Sequence, residues 1–308
     1  MISFADLHCD TLFRCFENGV DLNSDDLHIN KRHICTYKRY IQVFAHYIPE
    51  QIPDKWGYFK AFLHYSRNVL EKAEIPIFKT TDKDNLTQRR FAVLSVEGGD
   101  FFDSLKQAED RISFLSGQGI ALFSMIYNQR NTLGCGCAAK IDTGLTNLGK
   151  ETISIFERNN IILDVSHASY KSTQDILSLS TRPVCATHSN AHALTAHRRN
   201  LSDVQLRAIS NKGGLVGVNF YPPFLSTQAA GISDICRHID HLVSVCGENN
   251  VSFGCDFDGV DQLPVGIENL SSLVCIYSQM KQLGYSETQL DKIFFNNVLE
   301  FLNDNFRR

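Results

Sequence analysis

Residues that could bind a metal ion follow an apolar stretch close to the N-terminus of this sequence. The stretch ends in Asp6-Leu7-His8-Cys9-Asp10. If it is a β-strand, His8 and Asp10 point to the same side and Cys9 faces away, because side chains alternate along a strand. An imidazole and a carboxylate that converge on one point can share a metal ion. In isolation, however, a histidine at a strand end is more often a hydrogen-bonded residue of the core or rim.

Further apolar stretches end in residues of the same kinds. They are Glu97 in Ser95-Val96-Glu97-Gly98-Gly99, His167 in Asp164-Val165-Ser166-His167, His188 in Ala186-Thr187-His188-Ser189, and Asp256 and Asp258 in Gly254-Cys255-Asp256-Phe257-Asp258-Gly259. Histidines and carboxylates directed at one place suit zinc and related first-row ions. Two metals are expected, because five ligands exceed the three protein ligands of a usual catalytic zinc. The predicted ligands are His8, Asp10, Glu97, His167 and His188, with Glu97 able to bridge.

The pattern of the whole chain predicts a fold that gives these residues one common edge. Short apolar runs recur at Ser3–Leu7, Ile41–Ala45, Phe91–Val96, Ile120–Met125, Ile161–Val165, Val184–Thr187, Leu215–Asn219 and Val251–Cys255. Amphipathic stretches that fit helices are Tyr58–Glu74, Ser104–Ser116, Leu148–Arg158, Tyr170–Leu179, Asp203–Asn211, Asp234–Cys246, Glu268–Leu283 and Glu287–Leu302. Alternating strands and helices indicate a parallel sheet. Eight such units in 308 residues favour a (β/α)8 TIM barrel, whose active sites lie at the carboxyl ends of the strands.

An open, doubly wound sheet is the alternative fold. It is less favoured because no G-x-G-x-x-G pattern follows the first apolar run. The segment Asn18–Arg39 has no clear period, and we expect it to be a partly helical excursion. We expect residues 1–308 to form a single catalytic domain, since a chain of this length can bury a large core without disulfides or a structural metal.

The composition argues against several classes of partner. Lys and Arg number 30 against 34 Asp and Glu, and the basic residues are scattered, so neither nucleic acid nor a membrane surface is an expected partner. We find no signal peptide and no apolar run of about 20 residues that could span a membrane. The ten cysteines are too sparse for a disulfide scaffold, and we expect reduced thiols and a cytoplasmic location.

A series of motifs resembles the renal or membrane dipeptidase family of zinc peptidases, which have amidohydrolase-like barrels. In chain order the motifs are DLHCDTL, SVEGGD, NTLGCG with GLTNLGKE, LDVSHAS, ATHSNAHAL, HRRNLSD, GVNFYPPFL and GCDFDGV. The resemblance extends nearly from end to end of the chain. It implies a metallo-dipeptidase whose substrates are small dipeptides.

The resemblance also implies two zinc ions per chain. His8 and Asp10 would bind the first zinc, and His167 and His188 would bind the second. Glu97 would bridge both zinc ions. A hydroxide between the metals would attack the scissile carbonyl, which the metals polarise.

Three further residues acquire roles from the resemblance. Arg199 and Asp256 would serve substrate binding and proton transfer, and Tyr221 would contact the substrate. The planar guanidinium of Arg199 suits the C-terminal carboxylate of a dipeptide, although pairing with Asp203 is an alternative. Asp256 can take a proton and pass it to the leaving amine. Asp258, two residues further on, is the alternative for this role.

The sequence departs from the animal members of the family at one position. They carry a substrate-facing histidine after the fourth strand, where this sequence has Asn128 within Met125-Ile126-Tyr127-Asn128-Gln129-Arg130-Asn131. Asn128 is therefore a predicted substrate contact that could replace the histidine. The C-terminus, NDNFRR, does not resemble the lipid-anchor signal of the animal members.

Two other functions stay open at this point. A different metal-dependent amidohydrolase, such as a deaminase, a lactonase or a dihydroorotase-like enzyme, could use the same barrel. The H-x-D motif in place of H-x-H and the absence of lysine from the fourth apolar run count against it. The chain could also be a non-catalytic binding protein on a decayed barrel, which a complete set of ligands disfavours. Barrels of this kind often dimerise, so a homodimer is a further expectation.

Overall fold

Eight parallel β-strands form one sheet in the computed structural model, which describes residues 1–79 and 87–306. The strands are β1 (Phe4–Cys9), β2 (Tyr40–Tyr47), β3 (Arg90–Glu97), β4 (Ile120–Ser124), β5 (Ile162–Asp164), β6 (Val184–Cys185), β7 (Val216–Val218) and β8 (Val251–Phe253). Each strand overlaps one of the predicted apolar runs.

The sheet closes on itself. Its strands are hydrogen-bonded in the order β6-β5-β4-β3-β2-β1-β8-β7. A parallel bridge between Ala186, which follows β6, and Val216 in β7 joins the two ends of this order. The predicted (β/α)8 barrel is therefore confirmed, and the doubly wound alternative is wrong.

Twelve helices of the described residues connect or follow the strands along the chain. They are α1 (Thr11–Asn18), α2 (Lys31–Cys35), α3 (Lys55–Lys72), α4 (Leu105–Gly117), α5 (Asn147–Arg158), α6 (Tyr170–Leu179), α7 (Asp203–Asn211), α8 (Pro222–Leu225), α9 (Ile232–Cys246), α10 (Leu273–Gln282), α11 (Glu287–Asp291) and α12 (Asn297–Phe306). Helices α6 and α7 have the predicted bounds. Helix α2 is the helical part of the excursion Asn18–Arg39, as predicted.

The C-terminal helices differ from the prediction in two places. The predicted helix Glu268–Leu283 begins only after a 3₁₀ turn at Leu270–Ser272, and the side chain of Asn269 caps that turn. The predicted helix Glu287–Leu302 is divided by a π-helical turn at Lys292–Asn296. Sequence periodicity does not distinguish such turns from an α-helix, since they shift the apolar stripe by only one position.

Polar side chains determine where the helices after β4, β5 and β6 begin. Thr146, Ser169 and Ser202 each accept a hydrogen bond from a backbone N–H in the first turn of α5, α6 and α7. Such caps satisfy donors that the helix itself leaves unpaired. The loops between these strands and helices therefore have defined ends.

Both faces of the sheet are buried in separate apolar clusters. Ala5 and Leu7 belong to one cluster, whereas Phe4 and Cys9 belong to the other. The first cluster contains residues of all strands from β1 to β6, which can meet only inside the barrel. Helix α12 contributes Phe301 and other apolar residues to it, so this helix closes one end of the barrel.

A β-bulge lies in β1 just before the polar end of the strand. Asp6 pairs with Gln42 and Cys9 pairs with Phe44, so β1 advances three residues where β2 advances two. Bulges change the direction of side chains and are frequent next to active sites. Beyond the bulge, Cys9 packs in the cluster that contains Phe4, outside the barrel. His8 and Asp10 lie together on the opposite side of the strand, as predicted.

Two glycines allow a close backbone approach where the barrel closes. A Cβ atom on Gly217 would lie 2.0 Å from the carbonyl oxygen of Thr187, and one on Gly254 would lie 1.8 Å from the same oxygen. The ends of β7 and β8 therefore pack directly against the segment that carries His188. Any side chain at these glycines would displace that segment.

We predict that Gly254→Ala lowers the free energy of unfolding by roughly 1–3 kcal/mol or more, because the added methyl group overpacks against backbone atoms that cannot rotate away. Gly117→Ala is the control, since a Cβ atom there meets no atom within 4 Å at the end of α4. It should be neutral or stabilise the protein by up to about 1 kcal/mol. Urea denaturation of both variants tests this, and equal stabilities would contradict it.

Candidate metal centre

The five predicted ligands meet at the carboxyl ends of the strands. His8 belongs to β1 and Asp10 follows it, and Glu97 is the last residue of β3. His167 is the third residue after β5, and His188 is the third residue after β6. All five side chains belong to buried residues.

The carboxylate of Glu97 lies at the centre of the cluster. Its Oε1 atom is 3.0 Å from Nε2 of His167, 3.4 Å from Nε2 of His188 and 3.8 Å from Nε2 of His8. The atom is buried, yet it accepts no hydrogen bond from the residues that the structure describes. A buried acceptor without a donor is costly, so this oxygen requires another partner.

His8 connects the centre to two further carboxylates. Its Nε2 atom is 3.3 Å from Oδ2 of Asp10 and 3.7 Å from Oδ1 of Asp256. Ligand atoms of two groups, His8 with Glu97 and His188 and His8 with Asp10 and Asp256, all lie within 4.8 Å of one another. The cluster can therefore offer donor atoms to more than one metal ion.

The ring of His167 presents a lone pair to the cluster. Its Nδ1 atom lies 2.8 Å from Oδ1, the side-chain amide oxygen of Asn128, which can only accept a hydrogen bond, so Nδ1 carries the proton. The Nε2 atom is then unprotonated and faces Nε2 of His188 at 2.8 Å. An unprotonated nitrogen beside the unpaired oxygen of Glu97 is a donor set that fits a divalent cation, and imidazole with carboxylate suits zinc.

Electrostatics divides the histidines into two kinds. Burial alone would lower the pKa of His8, but the surrounding carboxylates, Glu97 first among them, raise it to about 10. Burial lowers the pKa of His167 and of His188 well below its usual value, and the charge of Arg199 lowers both further. These two rings are therefore neutral, which is the form that binds a metal.

Unusual backbone conformations occur at the same place. His167, Asp256 and Asp258 have φ values of 70°, 63° and 65°, in the left-handed region that non-glycine residues rarely adopt. Such conformations persist only where the surrounding structure enforces them, and they are concentrated at active sites. Here they turn the chain after β5 and β8.

A cavity of about 380 Å³ adjoins the cluster. Its wall includes the positively charged Arg198 and Arg199 as well as the carboxylates of Asp256 and Asp261. The cavity therefore has charged groups of both signs, which suits a small zwitterion. The predicted substrate contacts Asn128 and Tyr221 also line it.

Arg199 is buried next to the cluster. Its guanidinium donates a hydrogen bond to the carbonyl oxygen of His188 at 3.3 Å and lies over the ring of Phe224, 5.4 Å from its centroid. Among the described residues it forms no ion pair with a carboxylate. Asp203, the alternative partner considered above, instead accepts a hydrogen bond from Nε2 of His241 at 2.9 Å.

The two aspartates after β8 have different partners. Asn219 donates a hydrogen bond to Oδ2 of Asp256 at 2.8 Å, which leaves Oδ1 on the side of His8. Asp258 accepts hydrogen bonds from the hydroxyl of Thr11 at 2.6 Å and the backbone N–H of His28 at 2.9 Å. Asp258 therefore holds three segments together, and its carboxylate is less available for chemistry than that of Asp256.

The structure adds residues that sequence reasoning did not single out. Tyr127 stacks on His167 with ring centroids 4.3 Å apart and lines the cavity. Asn219 orients Asp256, and Thr187 contacts His188. The signal for Thr187 and Asn219 was a polar residue at the last position of an apolar run, which also occurs without function. All ten cysteines are free thiols in the structure.

The barrel and its cluster define a class of protein. A (β/α)8 barrel with histidine and carboxylate ligands at the carboxyl ends of its strands is the architecture of a metal-dependent hydrolase. The model of the membrane dipeptidase family, peptidase family M19, matches residues 1–305. The chain belongs to this family and is a metallo-dipeptidase.

None of the helices in residues 1–79 and 87–306 combines the length and the apolar character of a membrane-spanning segment.

The chain is also similar to individual proteins and solved structures. A Klebsiella pneumoniae protein described by its place in the pqqA 5′ region is 36% identical over 223 residues, which are 69% of this chain and 81% of that protein. A metallopeptidase from Rhodobacter sphaeroides, crystallised with a phosphinate mimic of the dipeptide L-Ala-D-Ala, is 25% identical with a TM-score of 0.87, covering 98% of each chain. The dipeptidase AC of family M19 is 25% identical with a TM-score of 0.89, covering 100% of this chain and 99% of its own.

A buried histidine joins the segment after β6 to the end of helix α8, and this contact predicts a dependence of stability on pH. His238 in α9 accepts a hydrogen bond from the backbone N–H of Ala191 and lies 3.1 Å from the carbonyl oxygen of Leu225. Burial lowers its pKa to about 4. In the unfolded chain its pKa is about 6.5. Between these values only the unfolded state binds the proton, so stability is lost as the pH falls from about 6.5 to 4.

We predict that this histidine accounts for up to about 3 kcal/mol of the stability lost in that range, at 1.36 kcal/mol per pKa unit. His238→Gln should be less stable than the wild type at pH 7 but should lose less stability between pH 7 and pH 5. His64→Gln, at an exposed histidine, is the control and should keep the wild-type dependence. Urea denaturation at both pH values is the measurement, and an unchanged dependence in His238→Gln would contradict the prediction.

Proposed function

We propose that the chain hydrolyses dipeptides with two zinc ions bound in this centre. His8 and Asp10 would bind one ion, His167 and His188 the other, and Glu97 both. The observation that carries the proposal is the position of Glu97 Oε1, which accepts no hydrogen bond from residues 1–79 and 87–306 and lies within 3.8 Å of three imidazole nitrogens. When bound, zinc would supply Lewis acidity, polarising the scissile carbonyl and promoting deprotonation of the attacking water.

Asp256 is the proposed proton carrier. Its Oδ1 atom lies beside His8, while the hydrogen bond from Asn219 holds the other oxygen. One oxygen is therefore oriented by the protein and the other is directed at the cluster. From this position Oδ1 can take a proton from the attacking water and deliver it to the leaving amine.

Arg199 is the proposed binding group for the C-terminal carboxylate of the substrate. It is buried, lines the cavity and has no carboxylate partner within the described part of the chain. A guanidinium binds a carboxylate through two parallel hydrogen bonds. Tyr221 and Asn128 line the same cavity and would contact the rest of the dipeptide. The substrate's amino group would pair with a carboxylate near the metals.

Two further features bear on competing functions and on location. Other amidohydrolases on this barrel would use a carboxylated lysine of the fourth strand to bridge the metals, and the strand β4, Ile120–Ser124, contains no lysine. Glu97 would therefore be the bridging group, which favours a dipeptidase. The ten free thiols favour a reducing compartment such as the cytoplasm.

We predict that the purified wild type binds two zinc ions per chain and that Asp256→Asn keeps both while kcat falls by on the order of 10²-fold or more, as for loss of a general acid–base. Glu97→Gln is the matched variant, because it also replaces a buried carboxylate by its amide, and it should lose at least one zinc. Elemental analysis and dipeptide hydrolysis are the measurements. Wild-type turnover in Asp256→Asn would exclude the proton-carrier role, and two retained zinc ions in Glu97→Gln would exclude the bridge.

We predict that Arg199→Ala lowers kcat/KM for dipeptides with a free carboxylate by about 30- to 1,000-fold, since a charge-assisted bidentate contact contributes roughly 2–4 kcal/mol. Hydrolysis of C-terminally amidated dipeptides, which lack the carboxylate, should change little. The wild type should also discriminate against tripeptides, because the guanidinium lies at a fixed distance from the metals. An equal loss on free and amidated dipeptides, with a lower melting temperature, would show that Arg199 has a structural role only.

A further inference from the structure

A chain of buried hydrogen bonds lies behind the ring of His188. The hydroxyl oxygen of Thr187 is 2.9 Å from Nδ1 of His188 and 2.6 Å from Oδ2 of Asp164. All three residues are at most 3% exposed. The chain therefore reaches from the candidate metal centre to a carboxylate at the end of β5 without contact with solvent.

The partners of Asp164 determine the direction of these hydrogen bonds. Its Oδ1 atom accepts the backbone N–H groups of Ser166 and Thr187, both at 2.9 Å. Its Oδ2 atom accepts the hydroxyl groups of Ser124 and Thr187, both at 2.6 Å. Because a carboxylate accepts hydrogen bonds, the hydroxyl proton of Thr187 points to Asp164. The Thr187 oxygen is then an acceptor, and Nδ1 of His188 must carry a proton to donate to it.

We propose that Asp164 and Thr187 are positioning residues that keep the proton of His188 on Nδ1, so that Nε2 is always unprotonated and directed at the metal centre. The inference rests on the proposed function in one respect, namely that His188 binds a metal. A hydrogen bond to the distal nitrogen of a metal-binding histidine fixes its tautomer and orientation and strengthens its bond to the metal. Here the carboxylate acts through an intervening threonine hydroxyl.

His167 and His188 would bind the second ion through Nε2, and different partners of Nδ1 keep the proton away from that nitrogen in the two rings. His167 donates directly to an amide oxygen, that of Asn128, which lies in the cavity wall. His188 donates to a hydroxyl whose own proton a buried carboxylate fixes. A threonine hydroxyl alone could either donate or accept. The carboxylate of Asp164, at 2.6 Å, sets its direction, since it is much nearer than the hydroxyl of Ser166 at 3.4 Å and can only accept.

Asp164→Asn tests the proposal most directly, because it reverses the direction of these hydrogen bonds while keeping their number. Two backbone N–H groups face the Oδ1 position, so the amide oxygen must occupy it and the amide NH₂ must occupy the position of Oδ2. The NH₂ group would donate to Thr187, whose hydroxyl would then donate to Nδ1 of His188. The proton of the ring would move to Nε2, where it competes with the metal.

The experiment measures zinc affinity of the full-length protein by competition with a chromophoric chelator. We expect Asp164→Asn and Thr187→Val to weaken the binding of one zinc ion by about 10- to 100-fold. Thr187→Ser, which retains the hydroxyl, should restore affinity to within about 3-fold of the wild type. Ser124→Ala is the matched control, since Ser124 donates to the same oxygen of Asp164 but does not touch His188, and it should also remain within about 3-fold.

A second readout reports the tautomer itself. In ¹⁵N-histidine NMR spectra of the zinc-free proteins, His188 should carry its proton on Nδ1 in the wild type and on Nε2 in Asp164→Asn. A role in packing alone would not move this proton. The spectra also decide the question if Thr187→Val fails to fold, because Asp164→Asn and Thr187→Ser preserve the polar contacts.

The outcomes separate this inference from the proposed function. Wild-type zinc affinity and an Nδ1 proton in Asp164→Asn would overturn the inference, as would an equal loss of affinity in Ser124→Ala and Thr187→Val. In either case a wild type that binds two zinc ions and cleaves dipeptides would leave the proposed function intact. A wild type that binds no zinc would overturn both.

Discussion

The buried carboxylate of Glu97 is the group on which the arrangement of the centre depends. Removing a negative charge from water is costly unless positive or hydrogen-bonding groups compensate for it. Its Oε1 atom has no hydrogen-bond donor among the described residues and lies 3.0–3.8 Å from three imidazole nitrogens. The nitrogen of His167 in this group carries a lone pair rather than a proton. A cation shared by these atoms would compensate the oxygen and the nitrogens together.

Closure of the barrel is what brings these groups to Glu97. His8 comes from β1 and His188 follows β6, and these strands lie five positions apart in the order of the sheet. In an open sheet that separation would be about 24 Å, at about 4.8 Å per strand. In the closed barrel the two ring centroids are 3.8 Å apart. The close approach of Gly254 to the segment of His188 is part of the same closure.

The side chains that face the centre are oriented by hydrogen bonds to the atoms that point away from it. Asn219 bonds the outer oxygen of Asp256, and Asn128 bonds the outer nitrogen of His167. Side chains that are already oriented lose little entropy when they bind a ligand, so these hydrogen bonds preorganise the site for binding. The cavity beside them carries charged groups of both signs, which matches a substrate with an amino group and a carboxylate.

The sequence by itself determined the barrel and the residues that meet at its mouth, because both depend on local patterns. Apolar runs alternate with amphipathic stretches, and the carboxyl ends of parallel strands always share one side of a barrel. Only the tertiary structure decided which partner each polar side chain has. Asp258 binds Thr11, 247 positions away, and Asp203 binds His241, 38 positions away. Such pairs depend on how the barrel closes and how its loops run, which no local pattern specifies.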